Sequence, residues 1–403
     1  MKERPIEVEF DNDTESRDAT ITDDQEDQEA PLQAEFLKWH HRLGHLSPNK
    51  MKLMARAGIL PKKLADCRDT PLCQACLYGK ATRKPWRSKP LHNKVSHVAK
   101  EPGQCVSIDQ LISPTPGLIA QLRGRPTRKR YTAATVFVDQ FSGLSFLNLQ
   151  MTTSADETIE GKIRFEQYAR QHGVEVKHYH ADNGVFADTK FKLAVQEAGQ
   201  SISFSGVNAH WQNGLAERRI RDLQDTTRTM MLHAATRWPG AITANLWPLA
   251  MKMANSILNE APKLRHDDDA KFGRTPIELF SKTGVAPNAN HWHTFGSPVY
   301  CLDNALQAGR KINKWSERSR VGIYVGQSPS HARSNALVLN KDTGLTSPQF
   351  HVKVDSTFAT MRRSFDNQPL KTTWQVAAGL LLESEFHCHK VKLMPTNRTV
   401  LVR

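Results

Sequence analysis

Three acidic residues stand where a carboxylate can do chemistry. Asp109 lies in V-S-I-D-Q, which alternates as a strand does. Asp182 follows the alternating run V-E-V-K-H-Y-H-A and opens onto the turn Asn183-Gly184. Glu217 sits just inside a strongly periodic segment that begins near residue 214. Carboxylate oxygens are hard donors, and three of them can hold Mg²⁺ or Mn²⁺ while leaving positions for water and phosphate. Two such ions, roughly 3.5–4 Å apart, activate an attacking oxygen and stabilise a leaving one in phosphodiester chemistry. Three carboxylates gathered without a cation would repel one another and partly protonate. The expectation is that Asp109, Asp182 and Glu217 are catalytic ligands for two Mg²⁺ or Mn²⁺ ions acting on DNA, with no side chain as general base.

A second constellation lies nearer the start. His40 and His45, with Cys73 and Cys76 in C-x-x-C spacing, offer two nitrogens and two thiolates, a set that zinc accepts in a closed tetrahedral site. His41 offers a competing H-x3-H spacing with His45, and Cys67 is a spare thiol. A segment this small cannot hold a core alone, so one structural Zn²⁺ would contribute folding energy.

The charge is divided. Of the net +14, residues 1–35 carry thirteen acids and only three bases, so the rest is far more basic than the total suggests. A basic body of this kind meets polyanions, and DNA is the first partner expected. Arg128, Lys129 and Arg130 form a basic loop. Arg218, Arg219, Arg221 and Arg228 crowd the helix that carries Glu217, and the side bearing Arg218, Arg221 and Arg228 is expected to grip phosphates. Six cysteines are too few for a disulfide scaffold. No apolar run is long enough for a bilayer, and neither a signal peptide nor a transit sequence is evident. An intracellular protein is expected.

The elements that must position these residues follow in order. Residues 1–34 are acidic and poor in apolar side chains, and are expected to be disordered. Residues 35–98 form the zinc-binding module, with a short helix starting at Ser47-Pro48, and a basic stretch over 83–100 links onward. Residues 99–262 alternate strands and helices: a strand bearing Asp109, two strands around a turn near Ser142-Gly143, a helix over 154–172, a strand delivering Asp182, a helix over 188–199, a short strand, and the helix from 214. Ala216, Ile220, Leu223, Thr227, Met230 and Ala234 make that last helix's core stripe. This order predicts an α/β fold, a mixed sheet with flanking helices. Residues 263–294 read as a linker and 295–360 as a small β-barrel. The tail 361–403 has no assignment; its His387-Cys388-His389 lacks partners for a metal site.

On these residues the sequence resembles the integrase region of a copia-type LTR-retrotransposon polyprotein. W-H-x-R-L-G-H…C-x-x-C-x-x-G-K, from Trp39 to Lys80, is similar to the family's zinc-binding pre-integrase segment. Asp109, H-A-D-N-G and Q-N-G-L-A-E-R are similar to its three-acid core. F-G-S-P-V-Y through S-P-Q-F-H-V resembles the SH3-like barrel that follows. The resemblance implies a ribonuclease H-like catalytic fold, DNA strand transfer, and Asp109, Asp182 and Glu217 as its acids. It selects His40 over His41 beside His45, Cys73 and Cys76, and places Asn213 and Gly214 at the turn leading the catalytic helix. It implies a nucleotidyl-transferring and hydrolytic enzyme acting as a homo-oligomer on element ends and target DNA, in a cytoplasmic particle and the nucleus. Thirty-four residues separate Asp182 from Glu217, one fewer than the family's usual spacing. An integrase-derived DNA-binding protein without turnover is the alternative.

Overall fold

The computed structural model describes residues 23–82, 99–206, 213–263, 273–282, 289–332 and 334–361. The basic stretch at 83–98, the start of the acidic leader and His387-Cys388-His389 lie outside them.

The chain starts with three helices: α1 (Asp23–Arg42), α2 (Pro48–Arg56) and α3 (Gln74–Gly79). Disorder was expected through residue 34, but helix is present from Asp23. The reason lies downstream. Leu32, Phe36, Trp39 and Leu43 fall on one helical stripe, and the last three are buried. Burying that stripe favours helix in the residues before it.

The central sheet has the order β3-β2-β1-β4-β5. Strands β1 (Val106–Leu118), β2 (Arg130–Asp139) and β3 (Ser145–Gln150) are antiparallel neighbours. Strands β4 (His178–Ala181) and β5 (Ser201–Phe204) join parallel to β1. The parallel pairs require crossovers, supplied by α4 (Ala155–Gln171) and α5 (Thr189–Glu197). This meander followed by strand–helix alternation is the ribonuclease H-like mixed sheet expected above.

Side chains of β1 and β2 divide between the two faces. Val106, Ile108 and Phe137 pack with Phe165 of α4 and Phe191 and Val195 of α5. Leu111, Ala134, Val136 and Val138 pack under α6 (Gly214–Arg237) and α7 (Trp247–Glu260). The Trp247 indole donates to the Thr115 carbonyl at 2.9 Å, fixing α7 to the far end of β1.

Residues 263–294 are more than a linker. Within them α8 (Pro276–Ser281) begins with a capping box between Thr275 and Glu278. It buries Phe280 in the same core as Phe165 and Val195. Beyond come β6 (Pro298–Leu302), the short α9 (Asn304–Gln307), β7 (Ser319–Gln327), β8 (Ala336–Asn340), β9 (Thr346–Gln349) and β10 (Val352–Val354). They form an antiparallel sheet in the order β10-β6-β7-β8-β9. Val299, Tyr324 and Leu339 of this sheet share one apolar core with α6, α7 and the Phe36, Trp39 and Leu43 stripe of α1. The three regions separated by sequence therefore close on a common interior, with α6 and α7 at its centre.

Candidate functional site

The acids meet through the sheet. Strand β4 pairs with β1 in the register Val106↔Tyr179 and Ser107↔His180. Carried on by two residues, that register sets Asp109 level with Asp182, one residue past the end of β4. Neighbours in register on parallel strands point to the same face, and both acids are half-buried. Asp109 Oδ1 accepts the Gln110 backbone N–H at 2.8 Å, and Asp182 Oδ1 accepts that of Gly184 at 3.2 Å. On the same face of β4, His178 bonds the Ser201 and Ser203 hydroxyls at 2.8 Å, and His180 bonds Ser203 at 2.9 Å.

Glu217 arrives from the other direction. Asn213, at the N-cap of α6, is buried, and its side chain does not cap the helix. Its Nδ2 instead donates to the carbonyl of Ile108, the residue before Asp109, at 2.9 Å. One hydrogen bond thus ties the start of the Glu217 helix to the strand of Asp109. Glu217 is half-buried in the first turn of α6. Three hard oxygen donors on one side of one sheet are the chemistry a divalent magnesium or manganese ion takes. Yet the groups that converge within 4.8 Å among the described residues are His40, His45, Cys73 and Cys76 in the helical module, and His41, His45 and His233, the last from α6; the three acids do not form a third.

The arginine run divides. Arg218 and Arg221 are exposed. Arg219 turns inward and donates to the Gly143 carbonyl at 2.6 Å, on the turn between β2 and β3. Arg228 bonds Asp225 at 2.8 Å and the Gly79 carbonyl at 2.9 Å, so it holds α3 against α6. Arg128 and Lys129 are exposed, and Arg130 is half-buried with its guanidinium on the Thr127 and Lys129 carbonyls.

The helical module gathers its four expected ligands. His45 Nδ1 lies 3.3 Å from His40 Nε2, 3.5 Å from Cys73 Sγ and 3.6 Å from Cys76 Sγ. His40 Nε2 lies 3.2 Å from Cys76 Sγ. Around a tetrahedral zinc ion, with bonds of about 2.3 Å to sulfur and about 2.0 Å to nitrogen, such atoms stand roughly 3.3–3.8 Å apart. The donor set therefore fits zinc. His40 directs its Nδ1 to the Leu46 carbonyl at 2.9 Å, which leaves Nε2 for an ion. The turn after α1 that delivers His45 holds it at φ 60°, a left-handed conformation that costs a residue with a Cβ about 1 kcal/mol. Burial drives the His45 imidazole well below its usual range. The hydrogen bond with Cys76, then those with His233, His40 and His41, hold the Cys73 thiol down, while Cys76 at the other end of that bond is pushed up.

His41 is outside this group of four, with Nε2 3.7 Å from Cys73 Sγ. Its ring lies against that of His233 of α6, centroids 4.1 Å apart and tilted by 51°. His233 escaped sequence reasoning because a lone histidine amid a helical core stripe carries no spacing signal. Only the docking of the module on α6 brings it to the cysteines.

The site is thus an α/β fold with two strand carboxylates in register, preceded by a helical module that gathers two histidines and two cysteines and followed by an antiparallel sheet. Known proteins point the same way. Residues 28–81 match the GAG-pre-integrase domain family. The chain is 23% identical over 319 residues to the Retrovirus-related Pol polyprotein from transposon RE1 of Arabidopsis thaliana, covering 79% of this chain and 19% of that protein. It thus spans about a fifth of that relative's length. Among solved structures, the bovine immunodeficiency virus (BIV) integrase catalytic core matches 45% of this chain and 95% of its own, at 18% identity and a TM-score of 0.30. The HTLV-2 integrase catalytic core, solved with magnesium as a trimer, matches 45% of this chain and 98% of its own, at 18% identity and a TM-score of 0.30. A simian T-cell lymphotropic virus intasome bound to a PP2A regulatory subunit matches 76% of this chain and 98% of its own, at 18% identity and a TM-score of 0.34. The chain resembles the integrase region of a copia-type retrotransposon polyprotein.

Proposed function

We propose that this chain is an integrase that joins DNA by metal-dependent strand transfer, with Asp109, Asp182 and Glu217 as its catalytic acids. The observation supporting this reading is the β1–β4 register, which sets Asp109 level with Asp182, together with the Asn213–Ile108 bond, which ties the start of the Glu217 helix to the strand of Asp109. In the reaction a DNA 3′-hydroxyl oxygen attacks a target-strand phosphorus. The bond from phosphorus to the target's 3′ oxygen breaks, the attacking hydroxyl loses its proton to water, and the departing oxygen takes one up. With water as attacker the same site hydrolyses the strand. Bound Mg²⁺ or Mn²⁺, two per site, would activate the attacking oxygen and stabilise the leaving one. Asp109 and Asp182 would hold the ions from a rigid sheet, and Glu217 would complete the ligand set from α6.

Affinity for DNA comes from the basic excess, with Arg218, Arg221, Arg128 and Lys129 exposed to meet phosphates. Arg228 and Arg130, whose guanidiniums already bond backbone carbonyls, would contribute less. His40, His45, Cys73 and Cys76 hold one structural zinc. Joining two DNA ends to one target calls for a homo-oligomer, working in a cytoplasmic particle and then the nucleus.

Linear DNA ends incubated with Mg²⁺ or Mn²⁺ test the reading. Joined product from wild type that disappears in Asp182→Asn supports it. DNA binding by both with product from neither means a DNA-binding protein derived from an integrase. That reading draws on the carboxylates' wider spacing. Cleavage confined to RNA–DNA hybrids would mark a ribonuclease H-type enzyme instead.

A further inference from the structure

The loop between α9 and β7 presents a tryptophan that the core does not use. Trp315 is 87% exposed, the most open of the large apolar side chains among the described residues, whereas Trp39, Trp238, Trp247 and Trp292 are buried. An exposed indole offers a rigid aromatic face of the kind that carries binding energy at interfaces. The loop is pinned at both ends. The Arg310 N–H donates to the Ala305 carbonyl at 2.8 Å, and the Asp303 N–H donates to the Arg318 carbonyl at 2.9 Å. At the tip Asn313 makes a turn. Its Oδ1 accepts the Trp315 N–H at 3.2 Å, and its carbonyl accepts the Ser316 N–H at 3.1 Å. Lys314 Nζ stands 5.3 Å from the centre of the Trp315 ring. Arg310, Lys311, Lys314 and Arg318 are all exposed, against one exposed acid, Glu317. None of these four cations is in an ion pair among the described residues.

We propose that this loop is a contact for single-stranded DNA, with Trp315 stacking on an unpaired base while Arg310, Lys311, Lys314 and Arg318 meet the phosphates beside it. Charge complementarity selects a polyanion, and the lone indole among the cations selects one that carries flat aromatic rings. Every base has such a face, so the contact tolerates any sequence. A paired base is already stacked on its neighbours, and wedging an indole into a duplex costs that stacking, whereas an unpaired base is free to take it. The three acids give this loop no task. They lie on the first sheet and at the start of α6, while the loop leads into the second sheet.

The inference rests on the reading of DNA as this chain's partner, and the test separates the two. Equilibrium binding of the full chain is measured by fluorescence anisotropy, which needs no turnover. The probes are an oligothymidine of about 12 nucleotides, an abasic strand of the same length, and a duplex of that length. Trp315→Ala is expected to weaken oligothymidine binding about 10–100-fold, with Trp315→Phe keeping most of the affinity because it keeps a ring. The abasic strand and the duplex are expected to bind Trp315→Ala as they bind wild type. The slope of log affinity against log salt should be unchanged in Trp315→Ala and should fall by about 0.7 in Lys311→Ala. Equal oligothymidine affinity for wild type and Trp315→Ala overturns the inference and leaves the DNA reading intact. So does an equal loss on the abasic strand, because no base would then be involved. Loss of self-association in Trp315→Ala with oligothymidine binding unchanged overturns it as well, and marks the indole as a contact with a second copy of the chain. Wild type that binds none of the three probes overturns both readings. Should Trp315→Ala not fold, wild type photocrosslinked to an iodouracil-bearing strand decides. A crosslink on Trp315 supports the stack, and crosslinks confined to other residues end the proposal.

Discussion

The molecule carries two groups of candidate metal ligands, and they are built in opposite ways. Imidazoles and thiols attract one another: each can donate or accept, so His40, His45, Cys73 and Cys76 close to within hydrogen-bonding reach on their own chemistry. Carboxylates are acceptors that repel, and Asp109, Asp182 and Glu217 are not among the groups that converge; each is carried by a separate segment, with Asp109 and Asp182 in register. The closed group lies in small helices whose own core is slight. The open group lies on a sheet with apolar cores on both faces. The lesson is that a structural site can be held by its ligands, whereas a site that must admit substrate has to be held by its fold.

The sharpest way to break this contrast is through the acids. Asp182→Asn should lower strand transfer at least about a thousandfold, roughly 4 kcal/mol of barrier, while zinc content stays at wild type. Loss of zinc along with activity would mean that the two groups are not independent. The reciprocal experiment is Cys73→Ser. Metal analysis should show about one zinc fewer per chain and proteolysis should open residues 40–80, with the sheet still folded. Smaller effects sharpen the scaffolding half. Gly79→Ala places a methyl against the Thr229 backbone, and denaturant unfolding should register about 1–3 kcal/mol of destabilisation as the module lifts from α6. Asn213→Ala leaves the Ile108 carbonyl without its partner, for about 1–3 kcal/mol. Strand transfer should fall with it while DNA binding holds. The smallest effects separate the arginines. Arg218→Ala and Arg221→Ala should each reduce the slope of log affinity against log salt by about one, with stability unchanged. Arg219→Ala should do the reverse, because its guanidinium holds the Gly143 turn.

Much of this was legible in the sequence, unevenly. Spacing offered Cys73 and Cys76 with His45 and either His40 or His41, and the family resemblance selected His40, which the structure brings to within 3.2 Å of Cys76. Alternation and helical period located nearly every element of the sheet region. Three readings failed for one physical reason: each concerned a contact between segments far apart in the chain. The acidic leader was read as disordered to residue 34, but the stripe from Leu32 through Leu43 draws helix back to Asp23. The segment after 262 was read as a linker, but Phe280 is buried against α4 and α5. Arg228 is read as a phosphate contact beside Arg221, but its guanidinium reaches back to the Gly79 carbonyl of the docked module.

By itself the sequence determined residue chemistry and local geometry: oxygen donors for one kind of ion, sulfur and nitrogen for another, and the strands and helices that carry them. Tertiary structure alone decided who meets whom. It set Asp109 level with Asp182, hung the Glu217 helix from Ile108, and laid His233 beside His41 and His45. Periodicity is a property of neighbours along the chain, whereas register and docking follow from the whole apolar interior closing at once.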